Sequence, residues 1–322
     1  MSKILIINQH KGDMKELYDH LDNYIRYWFS DSWYMILVID QIISESDMNE
    51  LLRWEHDYSD RFTLVFNGTN LGLTPSRFKA FNKALNSRLF SKNDYQAVYL
   101  NSTNSRWVID LTDRLASSIL ADLDGPTLTL SRYIVNEDYN SSKDFINSDS
   151  FVGKDMIPFE SYIGNSSKRE YGLIFPFDDF KDIYINHNLG CRYEPEEVWL
   201  WYACHNHPES NNWLSIYPRV LQEAWYNSNG MTKSFNRQFV LENKKAFLNR
   251  AKVFLNAYKD GELTLSMHFL KYLMYDYITL SDSFNPREFQ GTLLEAVMKW
   301  SMDRWLYNTD YDHKLKFMEG NK

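Results

Sequence analysis

The chain has 322 residues, 44% of them hydrophobic and 24% charged, which excludes a mainly disordered protein and allows one large domain or a catalytic domain with an appendage. Two cysteines, Cys191 and Cys204, exclude a disulfide framework, and the formal net charge of −8 argues against nucleic acid as a partner of the chain as a whole. No basic start leads into an apolar run and cleavage site, and the apolar run Trp33–Ile39 is too short to span a bilayer, so a soluble cytoplasmic protein is expected.

Lys3–Asn8 (KILIIN) reads as a buried strand, because β-branched residues dominate and polar residues follow at once. Asp13 offers an N-cap, and Leu17, Leu21, Tyr24, Ile25 and Trp28 share one helical face. Tyr34–Ile39 is a second strand, ending at Asp40, and Ser46–Trp54 a second helix. Phe62–Phe66 is a third strand. A turn at Asn67–Asn70 follows, and then a helix that Thr74–Pro75 opens and that runs to Leu89, with Pro75 well placed in its first turn. Ala97–Leu100 is a fourth strand. This alternation predicts a parallel sheet with covering helices, whose ligands bind beyond the carboxyl ends of the strands. Four loops sit at that edge: 9–12, 40–44, 67–74 and 101–106.

Farther on, the pattern predicts a helix over Val108–Leu120, a strand over Leu128–Val135, a loop region over 136–170, a strand over Leu173–Phe177 and a helix over Glu194–His205. From Leu214 the periodicity reads as helical almost to the end, with breaks at Gly230, Gly261 and Asn285–Pro286. Two regions are therefore expected: an α/β domain over 1–213 and a helical region over 214–322. Lys233–Lys259 carries seven basic residues against one acid, Glu242, interleaved with Phe235, Phe239, Phe247 and Phe254. Such a face either is solvated or recruits a polyanion.

The stretch Phe66–Arg77 (FNGTNLGLTPSR), followed by Asn82 and Ala84, resembles the family-two type of GT-A glycosyltransferase, as does Asp40 after the second strand. The resemblance covers residues 3–110 and implies a GT-A-like, mostly parallel α/β sheet flanked by helices, holding a nucleotide sugar, UDP-linked by preference. It implies that Asp40 accepts a hydrogen bond from the base and that Asn8, Asn70, Gly72, Arg77, Asn101 and Thr103 line the donor site. Gly72 lets the backbone approach a ligand closely, the helix opened by Pro75 favours phosphate, and Arg77 adds a cation for the diphosphate.

The chain departs from the family where an Asp-x-Asp should bind a divalent metal. Asn101 and Thr103 stand at those two positions, and neutral ligands hold Mg²⁺ or Mn²⁺ weakly. Either the leaving diphosphate is neutralised by Arg77, Arg106 or lysines without a metal, or the resemblance extends to the fold alone. The family's acidic pair that opens a later helix is matched by Glu196–Glu197, one of which would take the acceptor proton in an inverting transfer; Asp178 and Asp179 are second candidates. Acids in a first helical turn are also favoured by the helix dipole alone. Cys191, Cys204, His205 and His207 fit no closed zinc site.

For the acceptor, Lys233, Arg237, Lys244 and Lys245 are grouped as a binding face. The general style of the chain is similar to phage glycosyltransferases that decorate their own DNA, which makes a hydroxymethylated base in DNA one acceptor. Transfer to a polysaccharide or a lipid-linked sugar, and a non-catalytic GT-A-like binding module, are the alternatives.

Overall fold

The computed structural model describes residues 3–86, 95–121, 123–134, 145–146, 155–164, 172–207, 212–225 and 237–308. The opening half follows the expected alternation. Strands β1 (Lys3–His10), β2 (Trp33–Ile39), β3 (Phe62–Phe66) and β4 (Tyr95–Ser102) are separated by helices α1 (Met14–Tyr27), α2 (Glu45–Asp57) and α3 (Leu73–Asn86). Asp13 caps α1 by accepting from Lys15 N, and Ser44 caps α2 by accepting from Asp47 N. The end of the helix expected to reach Leu89 lies outside the described residues.

These four strands are mutually parallel in the order β3-β2-β1-β4. Alternate residues point to opposite faces. Ile4, Ile6, Met35, Leu37, Ile39, Ala97 and Tyr99 meet Leu17, Leu21 and Tyr24 of α1, Leu51 of α2, and Leu115, Ala116 and Ile119 of α4 (Asp113–Ala121) in one core. Helix α4 is shorter than the expected Val108–Leu120, because β5 (Ser105–Trp107) and a loop precede it. On the opposite parity α3 packs against β1 and β2.

The later half is mixed rather than parallel. It comprises β6 (Thr127–Ile134), β7 (Phe145–Ile146), β8 (Met156–Pro158), α5 (Phe159–Gly164), β9 (Gly172–Pro176), α6 (Phe177–Asn186), α7 (Glu196–Asn206) and β10 (Trp213–Trp225). The path continues β4-β9-β6-β10-β5, with β7 on β6 and β8 on β10, giving ten strands among the described residues. Strand β9 runs antiparallel to both β4 and β6, whereas β6 and β10 are parallel. Phe78 and Phe81 of α3 stack against Phe180 of α6 at 6.1 and 4.9 Å, and Phe78 lies 5.3 Å from Trp199 of α7. Helix α7 is apolar through its middle and buries Val198, Trp199, Leu200, Trp201, Ala203 and Cys204.

The expectation of helix from Leu214 onward is corrected at its start, since β10 is a thirteen-residue strand of the sheet. The chain forms two compact units, Met1–Ser234 and Phe235–Lys322. The second unit is helical in its described part: α8 (Arg237–Glu242), α9 (Lys244–Lys259), α10 (Met267–Leu280), a 3₁₀ turn at Pro286–Phe289 and α11 (Leu293–Asn308). Inside it a buried Arg250–Asp276 ion pair at 2.9 Å ties α9 to α10. The expected breaks at Gly261 and Asn285–Pro286 fall between these helices, while Gly230 lies outside the described residues. No described helix is long and apolar enough to cross a membrane.

Strand β9 is short and is pinned by a buried polar knot. Tyr99 Oη bonds Thr129 Oγ1 and Gln222 Oε1, both at 3.1 Å, and Thr129 Oγ1 donates to Gly172 O at 3.2 Å. A Cβ on Gly172 would collide with the Tyr99 hydroxyl and with Thr129 Oγ1. Gly172→Ala is therefore expected to cost about 1–3 kcal/mol, the range for overpacking a closed core, read as a lower urea midpoint with an unchanged slope.

Candidate functional site

Parallel strands end together, so β1 to β4 deliver His10, Asp40, Asn67 and Ser102 to one edge of the sheet. Asp40 is fully buried there. Its Oδ1 accepts from Asn67 Nδ2 and Leu71 N, both at 2.8 Å, and its Oδ2 accepts from Gln9 Nε2 at 2.6 Å and Gly72 N at 3.0 Å. Two bonds on each oxygen fill the acceptor capacity of a carboxylate. Asp40, expected to meet a base, anchors the Asn67–Gly72 loop.

That loop is clamped from its other side. Gly72 adopts φ +105°, and a Cβ there would strike the Arg192 carbonyl. Arg192 Nη2 donates to Asn70 O at 3.2 Å, and Glu194 N donates to Thr74 Oγ1 at 2.8 Å. Glu194 is buried and organises the segment that leads into α7: its Oε1 accepts from Leu189 N and Cys191 N, and its Oε2 from Trp199 Nε1. About one turn farther along α3, Arg77 forms an ion pair with Glu196 at the start of α7; the side chains are 8% and 28% exposed. Asp40, Asn70, Gly72, Arg77 and Glu196 therefore belong to one connected set. Glu197 follows in the same first turn of α7.

Asn8 is not part of that set. It has no exposed surface and points to the α1 face, where its Nδ2 meets His20 Nε2 at 2.7 Å and Met35 Sδ at 3.0 Å. His20 Nδ1 bonds Ser105 O at 2.8 Å, and a carbonyl only accepts, so His20 carries its proton on Nδ1 and presents a bare Nε2 to Asn8. Asn101 pairs in register with Asn8, and its Oδ1 accepts from Ser105 Oγ at 2.7 Å. Thr103 Oγ1 bonds His10 Nδ1 at 2.8 Å. Burial lowers His10 to about 4 against a bond to the Gly12 backbone, and lowers His20 to about 4 against its bond to Ser105.

The fit of a divalent metal at Asn101 and Thr103 is poor. Neither side chain carries charge, and both oxygens are already engaged, one by Ser105 and one by His10. Among the described residues no group of three or more His, Cys, Asp or Glu is placed to hold an ion.

Asp179 belongs to the opposite edge. Pro176 at the end of β9 pairs with Ala97 near the start of β4, so α6 begins where β1 to β4 begin rather than where they end. Asp179 there accepts from His207 Nε2 at 2.8 Å, and burial raises its pKa. The direction of β9 thus places Asp179, a candidate for the acceptor base, at the edge opposite the strand tips. Of the basic face, Lys233 lies outside the described residues, Arg237 begins α8, Lys244 pairs with Asp282 at 2.6 Å, and Lys245 is exposed on α9.

Sequence reasoning passed over Gln9, Arg192 and Glu194 as individual residues. For Gln9 a signal existed: on a strand Asn8 and Gln9 face opposite sides, and the loops converge on the side of Gln9.

No protein-family model and no curated protein sequence matches the chain. Solved structures do match in fold. S. aureus TarS 1–349 in complex with UDP-GlcNAc superposes with a TM-score of 0.58 at 11% identity, over 94% of this chain and 80% of that one. The same protein in complex with UDP gives a TM-score of 0.53 at 12% identity, over 94% of this chain and 87% of that one. The chain has the GT-A-type glycosyltransferase fold.

Two outcomes follow from this geometry. Asp40→Ala removes the acceptor for two backbone N–H groups and two amides, and is expected to cost about 3 kcal/mol, as charged buried hydrogen bonds do, with new proteolytic cleavage in the Asn67–Gly72 loop. His10 and His20 are neutral in the fold, whereas the unfolded chain takes up protons below the ordinary value of 6.5. Their contribution is intact above that pH and is lost as pH falls from 6.5 towards about 4. Urea titrations across this window are expected to show the loss, and His20→Gln to flatten it.

Proposed function

We propose that the chain is a glycosyltransferase that moves a sugar from a nucleotide-sugar donor, a UDP-sugar first, to a hydroxyl acceptor. The observation that carries this reading is the set at the strand tips: a loop fixed by Asp40 and Arg192 beside the Arg77–Glu196 pair, on the fold of a protein solved with UDP-GlcNAc and with UDP.

In the inverting form of this reaction the acceptor oxygen bonds to the anomeric carbon while the bond from that carbon to the diphosphate breaks. The nucleoside diphosphate leaves with the electron pair, and a carboxylate takes the acceptor proton. We assign that carboxylate to Glu196, with Glu197 as the neighbouring alternative. The Arg77 guanidinium pairs with Glu196 and holds its side chain in place. Donor neutralisation in this reading falls to side-chain cations and backbone N–H groups, since Asn101 and Thr103 make a poor metal cradle.

For the acceptor we keep DNA with a hydroxymethylated base as the first candidate. It rests on the basic residues of the second unit, of which Arg250 is buried against Asp276 and Lys244 is paired with Asp282, while Lys252 and Lys259 are exposed on α9. Binding to DNA that weakens steeply with salt supports this acceptor; salt-insensitive or absent binding favours a glycan.

The test of the enzyme reading is release of nucleoside diphosphate from a panel of UDP-, GDP- and CMP-sugars. Turnover is expected with a UDP-sugar and is expected to survive a chelator. Glu196→Gln is expected to reduce kcat by about 10²–10⁴-fold, the usual share of a general base, with donor affinity retained. Loss in Glu197→Gln alone moves the base by one residue. Absence of both turnover and any nucleotide-induced thermal shift overturns the proposal.

A further inference from the structure

The fold family pattern gives the acid after the second strand to the nucleobase, and in this chain that acid has nothing left to give. Asp40 is fully buried, and each of its oxygens already accepts two hydrogen bonds. A base could reach it only by displacing a backbone N–H or an amide.

The two amides that hold Asp40 are differently placed. A carboxylate only accepts, so the amide of Gln9 must turn its nitrogen to Asp40, and its carbonyl oxygen faces away. Gln9 is half-buried at the tip of β1, and no described residue bonds its Oε1. Asn67 is fixed in the same way, and more firmly: its Nδ2 donates to Asp40 Oδ1 and to Ser76 Oγ, both at 2.8 Å. Its Oδ1 is buried with no hydrogen-bond partner. A buried amide oxygen left bare costs about 1–3 kcal/mol, which is tolerated where a ligand supplies the donor.

We propose that Gln9 and Asn67, not Asp40, read the nucleobase of the donor: their carbonyl oxygens accept the ring N–H of a uracil- or guanine-type base, and Asp40 is the positioning residue that fixes both amides. The assignment rests on the nucleotide-sugar reading above. It also sets a specificity. Uracil and guanine carry a proton on the ring nitrogen between their polar groups. Cytosine carries a lone pair there and sets it against those oxygens, so CDP is disfavoured.

The experiment measures Kd for UDP, GDP, CDP and N3-methyl-UDP by calorimetry on the native chain and on Gln9→Leu. The native chain is expected to bind UDP or GDP at least about tenfold more tightly than CDP, and UDP about tenfold more tightly than its N3-methyl form, the worth of one well-made hydrogen bond. In Gln9→Leu the UDP-to-CDP ratio is expected to fall to within about threefold. A purely structural role would weaken all four ligands alike and leave the ratio standing. A retained ratio in Gln9→Leu, or native binding indifferent to N3-methylation, overturns the assignment while leaving the glycosyltransferase reading intact. Should Gln9→Leu fail to fold, the methylated ligand on the native chain decides alone. A native chain that binds none of the four overturns the donor reading itself, and the assignment with it.

Discussion

One buried carboxylate sets the shape of the strand-tip edge. Asp40 ends β2 with no exposed surface, and a charge so placed is stable only when every lone pair is answered. The donors that answer it come from three separate places: Gln9 on β1, Asn67 at the end of β3, and the backbone of Leu71 and Gly72. A single side chain therefore joins three strand tips and dictates the path of the loop between β3 and α3. That loop in turn dictates where the segment before α7 can lie, because the Gly72 backbone is close enough to the Arg192 carbonyl that no side chain fits between them.

The opening half of this architecture was legible because its strands are dense apolar runs bounded by polar turns, and because capping residues such as Asp13 stand where the helices begin. The later half was less so. In β10, Leu214, Tyr217 and Leu221 are buried at spacings of three and four, which imitate a helix. The imitation arises because the pairing with β6 shifts register at Tyr217–Val220 and again before Gln222, around Pro218 and Arg219, breaking the two-residue alternation. Asp179 shows a different limit. Local sequence marks an acid after a strand, but the direction of β9 is set by its pairing with β4 and β6, and that direction sends α6 to the far edge.

The site shows the same division between local and long-range information. Glycine at position 72 and arginine at 77 read correctly as parts of one loop and helix. That Arg77 meets Glu196 at a sequence separation of 119 is a tertiary fact, as is the capture of Asp40 by Gln9. The choice between Asn8 and Gln9 turned on strand parity alone: Asn8 shares its face with Ile4 and Ile6 and is drawn into a buried cluster with His20, whereas Gln9 looks to the loop side. Buried polar residues at strand ends are ambiguous until the facing helix is known.

Strand β10 has a practical consequence for anyone dividing this chain. It pairs with β6, β5 and β8, so it closes the far side of the sheet on three partners at once. A fragment cut at residue 213 would strip β6 of its parallel neighbour and bare an unpaired row of backbone donors and acceptors beside an apolar surface, the template on which chains associate edge to edge. Expression of the first unit alone calls for a terminus beyond Trp225, and a shorter piece that precipitates would report a severed sheet rather than an unstable fold.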